Sequence, residues 1–363
     1  MPDPLAQQLT QRFYDWEVRG RGWCSYDRSV TPEPPFVPFY GHFADRDVVP
    51  TDDGRQQTLL STLADRAVAL FQQHESEPEP ESFPEFEEQI TFDHSRELSH
   101  LSIVLPQGIT YPKDITEQFL LNLSQCQYPV CMELVGRSGA VSVHLTVDAS
   151  DEFQAIAVLQ SHFPDAIITP EDDPILAHWQ DEAPTGVFNF GLADEFMLPL
   201  RCYRSFAPDP LTGLIATLGM LQTGEMAAFQ IRFEPTRYPW AESVRRSVLL
   251  PGGKPFFANA PDFAKQTLSK ISSPLYGVNI RTIAQSAEPE RTRGILQSIL
   301  ASLSVLSTPQ GNRLLLLENK KSEIDDLPLD VITRCSKLAG MILSLDELLS
   351  LVHLPSASVT TPT

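Results

Sequence analysis

From Leu98 onward, apolar and polar positions alternate in a way that separates strands from helices. Leu101, Ile103 and Leu105 alternate with Ser102 and Val104, the period-two pattern of a half-buried strand. Between Lys113 and Gln125 the period lengthens, and Ile115, Phe119, Leu120 and Leu123 fall on one helical face. Val130, Met132 and Leu134 return to alternation with Cys131 and Glu133. The turn Gly136-Arg137-Ser138-Gly139 follows, and then Val141, Val143, Leu145 and Val147 alternate with Ser142, His144 and Thr146, which predicts a hairpin. Ser150 or Asp151 is placed to cap a helix carrying Phe153, Ile156, Leu159 and Phe163, and Ala166 to Thr169 supplies a last short strand.

The same order recurs more loosely downstream. After a connector at Glu171 to Pro184, the pattern predicts a strand over Phe196 to Tyr203 and a helix carrying Leu211, Leu214, Ile215, Leu218 and Leu221. Phe229, Ile231 and Phe233 then alternate with Gln230 and Arg232. An insertion at 235–272 holds Trp240, the stretch Pro251-Gly252-Gly253-Lys254 and a helix near Phe263. Tyr276, Val278 and Ile280 alternate with Gly277, Asn279 and Arg281, a long helix carries Ile295, Leu296, Ile299, Leu300 and Leu303, and Leu314 to Leu317 closes the series. The expected class is therefore α+β, with two tandem ferredoxin-like β-α-β-β-α-β modules at 98–170 and 171–318. Each is expected to be a four-stranded antiparallel sheet with its two helices on one face. No literal sequence repeat accompanies the repeated topology.

Three further segments flank the modules. Residues 1–73 read as an extended aromatic and Pro-rich N-terminal arm followed by a helix at 57–72, and 74–97 as an acidic linker in which Glu alternates with Pro and Ser. Residues 319–363 read as a C-terminal helix and tail. The Pro-bounded aromatics of the arm cannot form a core alone, so they are expected to rest on a neighbouring chain or on this chain's own first module.

Composition narrows the function classes. A chain of 363 residues that is 42% hydrophobic can bury several cores. No apolar run reaches the roughly 18 residues of a membrane span, and the first ten residues are polar, so membrane insertion and secretion are not expected. Five scattered cysteines fit a reducing cytoplasm rather than a disulfide framework. The net charge of -20 opposes binding to phosphate backbones, although basic residues outnumber acidic ones from Arg201 to Lys321.

The candidate chemistry is sparse. Gly252-Gly253-Lys254-Pro255 lacks the first glycine and the Ser/Thr of a phosphate-binding loop, so ATP hydrolysis by this chain is not expected. Cys126 and Cys131 have no second Cys/His pair at zinc spacing and read as ordinary thiols. His144 is expected on the open sheet face near Glu133, where a general base is conceivable but a surface or interface histidine is the simpler reading. That face carries Ser142, His144 and Thr146 where an RNA-binding sheet carries stacking aromatics. In the second module Gln230, Arg232, Asn279 and Arg281 point outward; they suit either phosphate, an acidic protein surface, or a polar face packed within the molecule. Arg232 and Arg281 are the candidate contacts to nucleic acid or an acidic partner. No catalytic, cofactor-binding or metal-binding residue is assigned.

The opening Phe13-Tyr14-Asp15-Trp16-Glu17-x-Arg19-Gly20-Arg21-Gly22-Trp23 and the following Glu33-Pro34-Pro35-Phe36-x-Pro38-Phe39 resemble the amino-terminal, non-motor region of type IV secretion coupling-protein-like or HerA-like DNA translocase ATPases. So do Asp209-Pro210-Leu211 through Leu221-Gln222-Thr223-Gly224-Glu225 to Gln230-Ile231-Arg232, and Ile342 to Leu348 with His353-Leu354-Pro355. In that family the His-Leu-Pro stretch precedes the ring-forming motor, whose ATPase residues have no positions here. The resemblance implies a non-catalytic accessory module serving conjugation or antiphage defence, with a P-loop ATPase motor on a separate chain as its partner. It also implies a possible homo-oligomer, DNA contact that is indirect or weak, and no membrane partner. Trp16, Arg19, Arg21, Trp23, Phe36, Phe39 and His353 are the candidate interface, since aromatics and Arg dominate interface energetics. The rival reading is a stand-alone protein-binding scaffold or sensor that never meets DNA, and a more distant one is an enzyme centred on His144.

Overall fold

Strict alternation in the central segments folds as the pattern requires, into one antiparallel sheet. Its strands are β1 (Leu98–Val104), β2 (Val130–Arg137), β3 (Ala140–Asp148), β4 (Ile167–Glu171), β5 (Thr185–Leu192), β6 (Met226–Pro235), β7 (Leu275–Gln285), β8 (Leu314–Leu316) and β9 (Met341–Ser344). The computed structural model describes residues 32–33, 97–106, 109, 111–250, 252–255, 261–317, 327–336 and 340–355. The remainder of the N-terminal arm, the expected helix at 57–72 and the acidic linker up to residue 96 lie outside the described residues.

The strand order is β4-β1-β3-β2-β6-β7-β5-β8, with β9 on β7. Two separate four-stranded sheets were the expectation. Instead β2 and β6 pair antiparallel from Val130↔Phe233 to Arg137↔Met226, so the edges of the two halves are joined and the sheet is continuous. This pairing satisfies backbone groups that two free edges would leave open to other chains. β9 lies along Leu275–Val278, beyond the stretch of β7 that pairs with β5, so the segment expected to be a helix and tail supplies a strand as well.

The described α-helices are α1 (Lys113–Leu123), α2 (Glu152–His162), α3 (Thr212–Gly219), α4 (Trp240–Val248), α5 (Pro261–Lys270), α6 (Pro289–Leu303), α7 (Leu327–Ile332) and α8 (Leu345–Leu348). α1 packs with α2 and α3 with α6, and one apolar core runs between helices and sheet through Leu101, Phe119, Leu134, Phe229, Val278 and Ile299. Each such side chain contributes about 1.5–3 kcal/mol on burial. In α2 the buried face is Ala155 and Leu159, while Phe153, expected in the core, is 86% exposed. Asp151 does not cap α2; it accepts the amides of Gln127 and Tyr128, and Asp148 caps the preceding 3-10 turn through Ser150.

The first strand of the second half falls at 185–192 rather than 196–203. Pro199 cannot donate to a ladder, and the Leu200 amide donates to Glu347 Oε1 at 2.6 Å instead. The Phe196 and Leu200 side chains are still buried, which is why their spacing imitates a strand. The Gly252-Gly253 stretch forms a tight turn at φ 100° and 80°, closed by the Leu250 amide donating to the Lys254 carbonyl.

Two residues of the arm are described, and they rest on the second half of the sheet rather than on the first. Glu33 accepts from the Arg237 amide at 3.0 Å and from the Trp240 indole. Gly277 permits this approach, since a Cβ there would come within 2.9 Å of the Glu33 nitrogen.

Candidate functional site

Opposite the helices, the same strands present a second set of residues: His100, Glu133, His144, Thr146, Gln230, Arg232, Asn279 and Arg281. This face was expected to be open. It is closed by residues 327–336, hereafter the strap, and by 172–180, the connector that follows β4. Val331 of the strap and Ile175 of the connector pack with Val135, Met226, Ala228 and Ile283 in a small apolar cluster. The arginines and carboxylates beside that cluster therefore sit away from water and must satisfy one another.

Arg334 organises them. It holds positive φ (53°), and its guanidinium donates to Glu133 through Nε (3.1 Å to Oε1) and Nη2 (3.0 Å to Oε2). The same group donates to Asp173 on the connector through Nη1 and Nη2. One cation thus ties β2, the connector and the strap together. Glu133, 0% exposed, also accepts from Thr146 at 2.8 Å and from Gln230, whose Nε2 donates to the Val331 carbonyl at 3.1 Å. Burial pushes the Glu133 carboxyl up, but Arg334, Gln230 and Thr146 together outweigh it and hold it below its ordinary range. Asp173 is likewise lowered, because its bonds to Arg334 outweigh burial.

Two histidines border this cluster. His144 lies across from Glu133 on the ladder, as its spacing implied, but it is buried, with Nε2 2.7 Å from Ser142 Oγ. Its Nδ1 is 3.0 Å from Glu171 Oε1, at ion-pair distance without hydrogen-bond alignment. His100 Nδ1 meets Thr146 Oγ1 at 2.9 Å. Burial lowers the pKa of both rings, and for His100 Arg334 adds to it. A buried His144 is poorly placed for the general-base role left open by the sequence. Cys131, also on this face, has its thiol pushed up by burial and by Glu133, which makes it a poor nucleophile.

Arg232 and Arg281 share the face that the sequence assigns them but are buried, Arg281 at 2% exposure. Arg281 Nε donates to Gln230 and Nη1 to the Cys335 carbonyl of the strap. Neither presents its guanidinium to an external surface. His353 is also corrected: it is 0% exposed, and its ring bridges the Leu349 carbonyl (2.8 Å) and Asp209 Oδ1 (2.9 Å) beside the Tyr203 ring. It joins two of the stretches that carried the resemblance, Asp209-Pro210-Leu211 and His353-Leu354-Pro355, within one chain. Trp16, Arg19, Arg21, Trp23, Phe36 and Phe39 lie outside the described residues.

A second buried pair was not anticipated. Lys270 Nζ and Glu347 are both fully enclosed at 3.1 Å, and Glu347 also closes a capping box with Ser344 at the start of α8. Burial lowers the Lys270 pKa against the pull of Glu347. Ser344-Leu345-Asp346-Glu347 carries the S-x-x-E signature from which the box could have been read. Arg334 and Asp173, by contrast, stand in segments with no local motif.

At the junction of the two halves, a groove of about 410 Å³ is lined by Arg137, His178, Trp179, Thr223 and Met226, with Glu225 at its wall. Arg137 Nη1 donates to His178 Nε2 at 2.8 Å, and Glu225 receives a two-pronged bond from Arg291 (2.6 and 2.8 Å). Among the described residues, no three His, Cys, Asp or Glu side chains are grouped to hold a metal, and no helix is long and apolar enough to cross a membrane. No protein-family model matches this chain, and no curated protein matches it at a significant level.

Proposed function

We propose that this chain is a non-catalytic assembly module, built of two tandem ferredoxin-like units, that works with a P-loop ATPase motor of the HerA-like or conjugative coupling type carried on another chain. The unit reading rests on strand order: numbered within each half, β4-β1-β3-β2 and β6-β7-β5-β8 give the same neighbours, with the first strand between the third and fourth. The observation that carries the functional reading is the burial of Arg232 and Arg281 beneath the strap. With those cations buried away from the external surface and a net charge of -20, contact with DNA falls to the motor and this chain contributes protein surface.

The same burial favours a second reading, a stand-alone scaffold or sensor that does not touch DNA. Light scattering separates the two. The intact chain and a version lacking residues 1–43 are each measured alone and with a P-loop ATPase of the proposed type taken from the same genome. A joint mass for the intact chain that is lost on truncation supports the assembly module, with the interface in the Trp16, Trp23 and Phe36 region. Unchanged masses in every mixture leave the scaffold.

A further inference from the structure

Two unmatched donors belong to neighbouring strands of the covered face. Asn189 on β5 and Arg281 on β7 are direct partners in the ladder, and both side chains lie on the strap side of the sheet. Arg281 commits Nε to Gln230 and Nη1 to the Cys335 carbonyl, but its Nη2 is buried without an acceptor. Asn189 Nδ2 is buried in the same condition. A donor withdrawn from water and left unmatched is unfavourable, the more so on a cation, and native folds rarely keep such a donor without a water, an ion or another partner.

The charge around them points the same way. Arg232, paired with Asn279 across β6 and β7, brings a second guanidinium to this end of the face. Of the nearby carboxylates, Glu133 is engaged by Arg334, Gln230 and Thr146, and Glu234 meets Arg237 through one oxygen while its other oxygen is buried without a hydrogen-bond partner. Asp330 of the strap adds its field at Arg281. Burial nonetheless prevails at both arginines and holds their pKa values below the ordinary range, that of Arg281 at about 10. At Arg281 desolvation thus outweighs the attraction of the charged groups around it.

We propose that Arg281 Nη2 and Asn189 Nδ2 form a binding site for a small oxyanion of phosphate or sulfate size, enclosed between the sheet and the strap. Asn189, Arg232 and Asn279 keep 6–8% exposure, so this end of the face is nearly closed to solvent. A tetrahedral oxyanion offers acceptors to both donors at once, and its charge strengthens each bond. Because Arg281 also holds the Cys335 carbonyl, the bound anion fastens the strap to the sheet.

The test uses the full chain and inorganic phosphate as probe, with chloride at matched ionic strength as control. Thermal unfolding and titration calorimetry should show a saturable response to phosphate and sulfate and none to chloride. Asn189→Ala removes a side chain that makes no other hydrogen bond, and it should weaken the phosphate response about tenfold. Arg281→Lys should act in the same direction. If that variant does not fold, Asn189→Ala decides alone. A small phosphomonoester that competes with phosphate identifies the source as a metabolite group, and one that does not identifies the free anion; both support the site. An absent response, or one equal in wild type and Asn189→Ala, overturns it.

Discussion

On the helix-covered face, Leu101, Leu134, Phe229 and Val278 pack against α1, α2, α3 and α6; on the other face the same strands offer His100, Glu133, Gln230 and Arg281 to the strap and connector. The first face gains its stability from area removed from water, which is non-directional and tolerates repacking. The second gains little from its ion pairs, since desolvating a buried charge cancels much of the Coulomb attraction. What the polar face supplies is discrimination. The strap has one register in which Arg334 meets Glu133 and Asp173 together while Val331 seats on Ala228 and Ile283. Loss of an apolar side chain is a local cost, whereas loss of one polar partner strands several others.

Glu133→Ala should be the most damaging single change on the polar face. It leaves Arg334 and Gln230 buried without their shared acceptor, at a cost of about 3–5 kcal/mol in urea denaturation. Phe229→Ala on the apolar face should cost a similar 3–5 kcal/mol. The two are distinguished by rescue: adding Arg334→Met to Glu133→Leu should recover part of the loss, because an apolar pair needs no partner, although Asp173 loses its cation. No recovery in the double variant would mean that the face is not held by this pair.

Arg334→Met alone should act mainly on the strap, with a smaller global loss of about 2–3 kcal/mol. Cys131 reports on it. Its side chain is buried on the covered face, and its thiol is held above the usual range. Release of the strap should raise its labelling by a thiol reagent about tenfold or more, with little change at Cys126, which lies against the helix-side core. Equal labelling of Cys131 in both proteins would break the contrast between a fixed and a fastened face.

How far each face could be read in advance follows from the range of its interactions. β1 to β4 were legible because period two is a local property, and the central residues of β2, β3, β6 and β7 alternate. β5 was missed because Gly186, Asn189 and Gly191 weaken its pattern, while Phe196 and Leu200 bury themselves without a ladder. β9 is four residues long and apolar throughout, too short for any period to show. The polar face was half legible. Alternation placed Gln230, Arg232, Asn279 and Arg281 together, but what covers them comes from the strap, and Arg334 reaches Glu133 across 201 residues and Asp173 across 161. No spacing rule encodes such a contact, and nothing in Thr333-Arg334-Cys335 marks it.

Acid should loosen the polar face before the apolar one. His100 is faced by Thr146 on β3, Glu133 on β2, Arg334 on the strap and Asp172 and Asp173 on the connector; His144 by Glu133, Glu171 on β4, His100 and Arg334. Both folded pKa values lie below the ordinary 6.5, so the unfolded chain takes up protons first as the pH falls. Stability is full above about pH 6.5 and declines below it. Glu133 and Asp173, lowered from 4.5 and 3.8, extend the decline below about pH 4.5. Denaturation midpoints should therefore fall between pH 7 and 5, and the double change His100→Gln with His144→Gln should flatten that interval. A flat wild-type profile over the same range would place the histidines in water.

The smallest effect tests the apolar face at its border. Phe153 lies in the first turn of α2 and is the largest side chain that the helical period wrongly assigns to the core; it is 86% exposed, while Leu159, six residues on, is fully buried. On an ideal helix six residues span about 600°, so Phe153 lies about 120° from Leu159, far enough around for one to face the sheet and the other solvent. Leu159→Ala should cost about 2–5 kcal/mol and Phe153→Ser within about 0.5 kcal/mol, both by urea denaturation. An exposed phenylalanine contributes nothing to folding but adds apolar surface open to other chains. Phe153→Ser should therefore leave the midpoint unchanged in dilute solution. A loss above about 1 kcal/mol would show that this ring is covered and that the apolar face extends past α2.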